Sequence, residues 1–287
     1  MYTNIVQVRI ADAIRKIKEM LIVFGALKIE LMPILKSIYI YNIHKNGKTV
    51  IYEGFKNSRP VTIIQTGMGT KNAKEAAEFF KENYSKYIKN SSARPGNNVE
   101  VSMIGFCGAT NRDIEVGDAI IYNSIKNIGY SDKKEFFLNG SLELKKDRSI
   151  HFLIKDDLLH VTGATVPEVI TSPDAKKKLN GDFDIQAIDM ESYWIGEAVR
   201  EMRLPFSCIR VVSDGAEDAL PSYFESYRSA EMVLNIVLSF IRSLFSKKEF
   251  RSNINAFRNL KKANLKLAKV SVGLITGFAA NTLNKTL

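Results

Sequence analysis

The stretch Ala187–Pro221 carries the chemistry this chain could do: two acidic clusters, Asp189 with Glu191 and then Asp214, wrapped around one helix and one strand. Asp189, Met190 and Glu191 are expected to open a helix that runs to about Arg203, where Leu204 and Pro205 stop it. The run from Phe206 to Val212 reads as a buried strand, with Ser213 and Asp214 at its carboxyl end. Ligand sites in α/β sheets gather at the carboxyl ends of strands. Two carboxylates delivered to one such rim could carry out acid–base chemistry.

Each of these residues also has an ordinary reading. Asp189 suits a helix N-cap and Glu191 the first turn of a helix. Asp214 suits a turn, and Glu30 the surface of a helix. Thr66-Gly-Met-Gly69 before a helix is either an anion cradle or a tight turn, with Gly67, Gly69 and Lys71 as the anion-binding set. His44, His151 and His160 show neither metal spacing nor a triad partner and read as structural.

The elements that must position these groups alternate between strand and helix. Met20–Leu27 reads as a strand and Lys28–Ser37 as a short helix carrying Glu30 and Pro33. A hairpin is expected from Ile38–Ile43 and Thr49–Tyr52 around Asn46-Gly47. Val61–Gln65, Val99–Phe106, Ala119–Tyr122 and Leu158–Thr162 read as further strands. Lys71–Lys89 and Ser172–Leu179 read as helices, the second with Ser172 as N-cap and Pro173 at the first position. Ser222–Phe245 reads as a long terminal helix, and 127–157 gives no clear pattern. The expected fold is α/β, three layers α/β/α around a central mixed, largely parallel sheet.

The 287 residues carry a formal charge of +10. Seven Lys and two Arg stand against one Glu between Ser246 and Leu287, so the tail holds +8 and the body about +2. That asymmetry argues for a nearly neutral domain with a basic tail, and against a nucleic-acid-binding core. Cys107 and Cys208 sit in apolar runs with no disulfide or zinc spacing, which favours a reducing, cytoplasmic setting. No apolar run reaches the ~20 residues of a membrane-spanning helix. The expected organisation is a leader helix over 1–19, a domain over 20–245 and a basic amphipathic tail over 246–287. In the tail, Phe250, Ile254, Phe257 and Leu260 recur at helical spacing among Lys and Arg, followed by apolar Val270–Ala280. This suits either a helix lying on an anionic membrane surface or a solvated extension.

Taken in order, FGALKIELMPIL (Phe24–Leu35), QTGMGTKNA (Gln65–Ala73), GFCGATNRDIEVGD (Gly105–Asp118), DMES (Asp189–Ser192) and RVVSD (Arg210–Asp214) resemble the nucleoside phosphorylase/nucleosidase superfamily. That superfamily includes the methylthioadenosine/S-adenosylhomocysteine nucleosidases. The run SDGAEDALP and the segment Val161–Leu179 resemble the hopanoid-associated branch, which implies an adenosyl-lipid substrate such as adenosylhopane.

The resemblance implies cleavage of the N-glycosidic bond of a purine nucleoside, with no metal or organic cofactor and with self-association into homo-oligomers. It assigns Asp214 to protonating the purine at N7 and Glu191 to holding the ribose hydroxyls. Met190 would pack on the sugar, and Glu30 would activate the attacking water. Ser213 and Arg210 would position the acid, and Phe106, Cys107, Gly108 and Val166 would line the substrate site. Asp214 could hold its proton near neutral pH if burial raised its affinity for it. Phe106 and Cys107 are larger or less polar than is usual beside the glycine loop, which leaves the substrate open. Lys71 and Arg112, near the two glycine turns, would suit phosphate and hence a phosphorylase. Glu30, in the region where a phosphate loop would stand, favours hydrolysis. A non-catalytic nucleoside-binding protein is the remaining alternative, and three intact carboxylates argue against it.

Overall fold

The computed structural model describes residues 20–90, 99–131, 135–144, 158–220 and 247–280. The leader over 1–19, the helix expected over Ser222–Phe245 and His151 lie outside the described residues. The strands are β1 (Met20–Gly25), β2 (Tyr39–Asn46), β3 (Thr49–Lys56), β4 (Arg59–Gln65), β5 (Val99–Ala109), β6 (Ala119–Tyr130), β7 (Phe136–Glu143), β8 (Leu159–Thr165), β9 (Ala187–Asp189) and β10 (Phe206–Asp214). The helices are α1 (Lys28–Leu35), α2 (Thr70–Asn90), α3 (Pro173–Phe183), α4 (Ser192–Glu201) and α5 (Lys247–Ala280).

All ten strands form one mixed sheet in the order β10-β6-β8-β9-β5-β1-β4-β3-β2, with β7 on β6. The ladders β1–β4, β1–β5, β5–β10, β6–β8 and β8–β9 are parallel. The antiparallel ladders include the β2–β3–β4 meander and the β6–β7 hairpin. β1 and β10 are almost wholly buried, as parallel strands covered on both faces should be. β5 has three neighbours: β1, β10 and, at its carboxyl end, the short β9. Strands β5, β10, β6, β8 and β9 therefore close on themselves, bringing the end of β5, the β9–α4 turn and the end of β10 to one place.

Two apolar clusters cover the sheet. Phe24, Phe80, Met103, Ile195 and Cys208 belong to the one under α2 and α4. Leu21, Leu31, Ile104 and Val211 belong to the other, under α1 and α5. This is the expected three-layer arrangement. Each fully buried Leu or Ile contributes roughly 1.5–3 kcal/mol to it.

Several elements depart from the sequence reading. Ala187–Asp189 is a strand, because it pairs with both β5 and β8, and the helix starts only at Ser192. β6 runs on to Tyr130 and turns back as β7, structure that the polar 127–157 region did not announce. A second tight turn at Asn57-Ser58, both with positive φ, joins β3 to β4.

The tail also departs from both of its expected forms. Ala263, Leu267, Val270, Leu274, Ile275 and Phe278 on α5 are buried against β10 and α1, so the apolar stretch from Val270 covers the protein's own core. Phe257 and Leu265 stay exposed, Phe257 at 71 %.

Candidate functional site

β5 is the spine of the site. The Phe106 N–H donates to Glu30 Oε1 at 2.8 Å, and Gly108 lies beside Asp214 on β10. Those two β5 positions are two residues apart, about 6.6 Å along a strand. A Cβ on Gly108 would stand 2.7 Å from Asp214 Oδ2. A Cβ on Gly105 would meet Arg210 Nη1 at 2.5 Å and Glu30 Oε1 at 2.7 Å. The two glycines leave room for charged side chains that approach the strand this closely, Asp214 at Gly108 and both Arg210 and Glu30 at Gly105.

Glu30 is not a surface residue. It is buried on α1, and its Oε2 accepts the Leu27 N–H at 2.7 Å, closing the first turn of its own helix. Burial raises its carboxyl above the ordinary range, although the Arg210 charge and the backbone donors pull the other way.

Glu191 is buried at the start of α4, where its Oε1 accepts the Gly69 N–H at 2.6 Å. Burial pushes its carboxyl up to about 7, against the opposing pull of Arg210. Asp189 accepts the Glu191 and Ser192 N–H groups at 3.0 and 2.9 Å, so the capping role read for it survives even though the helix begins later. Its Oδ2 faces Arg210 Nη2 at 3.2 Å. Arg210, fully buried on β10, also donates to Ser192 Oγ at 2.6 Å and stands 3.9 Å from Glu191. Burial opposes its charge, but the anions around it, Asp189 first, more than offset that.

Arg210 thus serves Glu30, Asp189 and Glu191, and among the described residues its hydrogen bonds and ion pairs go to Ser192, Phe106, Met103, Asp189 and Glu191, not to Asp214. Asp214 has its own partners. Ser213 Oγ lies 2.9 Å from Oδ1 and 3.1 Å from the Cys107 carbonyl, with one hydroxyl proton for the two acceptors. Lys176 Nζ, from α3, donates to Oδ2 at 2.6 Å. Lys176 was not singled out from the sequence. It stands first in a Lys-Lys-Lys run that reads as a solvated helix face.

Other expected residues fall in different places. Met190 lies between β9 and α4, its carbonyl accepting Thr70 Oγ1 at 3.2 Å and its Cε 3.6 Å from where a Gly69 Cβ would be. Phe106 is half-buried and Cys107 buried, and burial drives the Cys107 thiol well above its usual range, so it is no nucleophile. Val166 is packed with Ile188, Ile170 and Leu179, and its N–H donates to the Asp189 carbonyl at 2.8 Å.

The anion set does not assemble. Gly67 and Gly69 have the positive φ of a tight turn, but the Gly69 N–H is taken by Glu191. The Lys71 side chain is 88 % exposed and 3.9 Å from Glu75, its i+4 neighbour on the solvent face of α2. Arg112 pairs with Glu217 at the surface.

Comparison with known proteins places the chain in a family and agrees with its fold. The family model of the Phosphorylase superfamily matches residues 21–242. The 5'-methylthioadenosine/S-adenosylhomocysteine nucleosidase of Buchnera aphidicola subsp. Schizaphis graminum is 26% identical over 221 residues, covering 71% of this chain and 87% of its own. The enzyme of the same name from Staphylococcus haemolyticus is 25% identical over 238 residues, 77% of this chain and 99% of that one. Among solved structures, the Helicobacter pylori 5'-methylthioadenosine/S-adenosyl homocysteine nucleosidase has a TM-score of 0.64 at 14% identity, covering 90% of this chain and 98% of its own. The futalosine hydrolase of Helicobacter pylori gives the same four values.

Proposed function

This chain belongs to the phosphorylase superfamily, and on that premise we propose that it hydrolyses the N-glycosidic bond of an adenine nucleoside. It is an enzyme of the nucleosidase or phosphorylase kind. The observation that carries hydrolysis is the placement of Glu30 and Asp214 at two ends of one β5 segment, with Glu191 and Arg210 on the Glu30 side.

Purine anions leave poorly, so a proton must reach the ring as the bond breaks, and Asp214 is the acid for that step. The ribose becomes cationic. The Glu191 carboxylate holds its hydroxyls and offsets the charge, with Met190 against the sugar. Water attacks the opposite face and loses its proton to Glu30. One carboxyl serves as acid and another as base, the division of labour of glycoside hydrolysis. Water is favoured over phosphate because Lys71 points to solvent and the Gly69 N–H is already committed.

The relatives, named for 5'-methylthioadenosine and S-adenosylhomocysteine, support an adenine nucleoside. The lipid-linked substrate and the hopanoid-associated branch have only the Val161–Leu179 and SDGAEDALP runs behind them. The test is chromatographic. Purified protein is incubated with methylthioadenosine, S-adenosylhomocysteine and adenosine, with and without phosphate. Hydrolysis predicts equal adenine release in both. Release only with phosphate would make it a phosphorylase, and no release would overturn the enzyme reading of this site.

A further inference from the structure

Lys176 is fully buried, and a lone lysine almost never is. Its Nζ donates to Asp214 Oδ2 at 2.6 Å, to the Gly215 carbonyl at 2.8 Å and to the Asp218 carbonyl at 3.3 Å. An ammonium has three protons to give and no lone pair to accept with. Three acceptors therefore match the charged form and leave none of its donors idle. The site is also braced. The Asp218 carboxylate accepts the Gly215 N–H at 2.8 Å and Asn259 Nδ2 of α5 at 2.9 Å, which fixes the loop that supplies both carbonyls. A buried ion pair is retained at a cost that well-packed apolar residues would avoid, so its presence beside a reacting group calls for a use.

Among the described residues, the charged groups around the pair come from the loop, β5 and α3. Asp218 comes from the loop, and the Cys107 thiol from β5 feels the Asp214 charge. Glu217 is neutralised by Arg112 at the surface. On α3 itself Asp174, Lys177 and Lys178 are exposed.

Resting on the nucleosidase reading above, we propose that Lys176 is the proton reservoir for leaving-group departure. In the resting enzyme the pair is ammonium and carboxylate, and Asp214 acts as a relay and not as a self-loaded acid. As the glycosidic C–N bond breaks, its electron pair goes to the purine. One proton passes from Lys176 Nζ to Asp214 Oδ2 and on to the ring nitrogen, leaving a neutral amine beside the carboxylate. The oxygen of water bonds to the anomeric carbon, and its proton goes to Glu30. Loss of that proton to solvent and uptake of one by Lys176 restore the enzyme. One water is consumed and nothing is oxidised. Lys176 does not touch the substrate; it acts through Asp214.

The test is the alkaline limb of the pH profile of kcat/KM for adenine release, measured on wild type, Lys176→Met and Lys176→Arg, each checked for folding by thermal melting. The relay predicts that wild-type activity persists further into alkaline pH than that of Lys176→Met, because the ammonium keeps supplying the proton that Asp214 passes on. Lys176→Met should lose at least about 100-fold at neutral pH, a typical general-acid contribution, and its deficit relative to wild type at the same pH should shrink as pH falls, because solvent then supplies the proton to Asp214. Lys176→Arg should keep the wild-type limb. A folded Lys176→Met with an unmoved limb would reduce Lys176 to a structural role. If Lys176→Met does not fold, the wild type decides alone: loss of activity already near neutral pH overturns the relay, and activity that persists well into alkaline pH supports it. Absence of adenine release from wild type defeats the nucleosidase reading and the relay together, whereas an active wild type with an unmoved limb defeats only the relay.

Discussion

The two ends of the β5 segment hold buried carboxylates by opposite means. At the Glu30 end, Glu30, Asp189 and Glu191 share one guanidinium, Arg210, and burial leaves Glu30 and Glu191 raised. At the other end, Asp214 has an ammonium to itself at 2.6 Å. One cation among three anions leaves the cost of burial only partly offset, and the Glu191 carboxyl rises to about 7. One cation for one anion fixes the charge and offers a proton on the cation's side. A base and a sugar clamp need the first arrangement, and a proton donor to a leaving base is served by the second.

The largest expected effects come from removing one end at a time. Asp214→Asn and Glu30→Gln should each lower kcat by about 10²–10⁴-fold. Asp214→Asn should still bind nucleoside, as isothermal titration would detect. It also leaves the Lys176 ammonium unpaired, so a loss of stability should accompany it. Equal, small losses in both variants would erase the contrast between the ends.

Glu191→Gln sharpens the comparison, because its two consequences have opposite signs. Activity should fall by about 10²–10³-fold, the usual cost of losing one charge-stabilising group. Stability should rise above neutral pH. Glu191 has an unfolded value of 4.5 and a folded value of about 7, so between them the native state keeps a proton that the unfolded chain has lost. Wild-type stability therefore falls as pH rises through that window, and the penalty is complete above it. The Gln variant lacks the penalty, so its gain in melting temperature should be present at about pH 8 and absent at about pH 4. The same group predicts that wild-type kcat/KM declines on the acid side below about 7, where Glu191 becomes neutral.

Smaller effects should come from the elements behind each end. Leu274→Ala, under the α1 and β10 packing, should cost about 2–5 kcal/mol in urea unfolding. If α5 were only a solvated extension, that cost would be near zero. Asn259→Ala should cost about 0.5–1.5 kcal/mol and slightly lower kcat, since it frees the Asp218 carboxylate that braces the Lys176 loop.

How far the sequence disclosed these ends depends on what kind of signal each residue leaves. Strands β1, β5 and β10 are continuous apolar runs, and Ser172-Pro173 starts α3 as its composition predicts. Glu30, Glu191 and Asp214 were visible as acidic residues at element ends, although Glu30 alone looked exposed. Its burial follows from β5, a partner 76 residues away. Lys176 could not be told from Lys177 and Lys178 by composition. Only its phase on α3, one turn before buried Leu179, separates it, and that signal is one residue wide. Lys71 misled for the converse reason: a lysine beside a glycine turn suggests an anion, but its phase on α2 turns it to solvent. β9 is three residues long, too short for periodicity to report, and exists because β5 and β8 each offer it a ladder.

The most direct measurement of the central claim is the reaction in heavy-oxygen water with methylthioadenosine, followed by mass analysis of the sugar. If Glu30 activates water against the ribose while Asp214 releases the base, the free sugar carries one heavy oxygen, forms without phosphate, and disappears in Glu30→Gln. A sugar phosphate product, or label incorporation untouched by Glu30→Gln, would contradict the account.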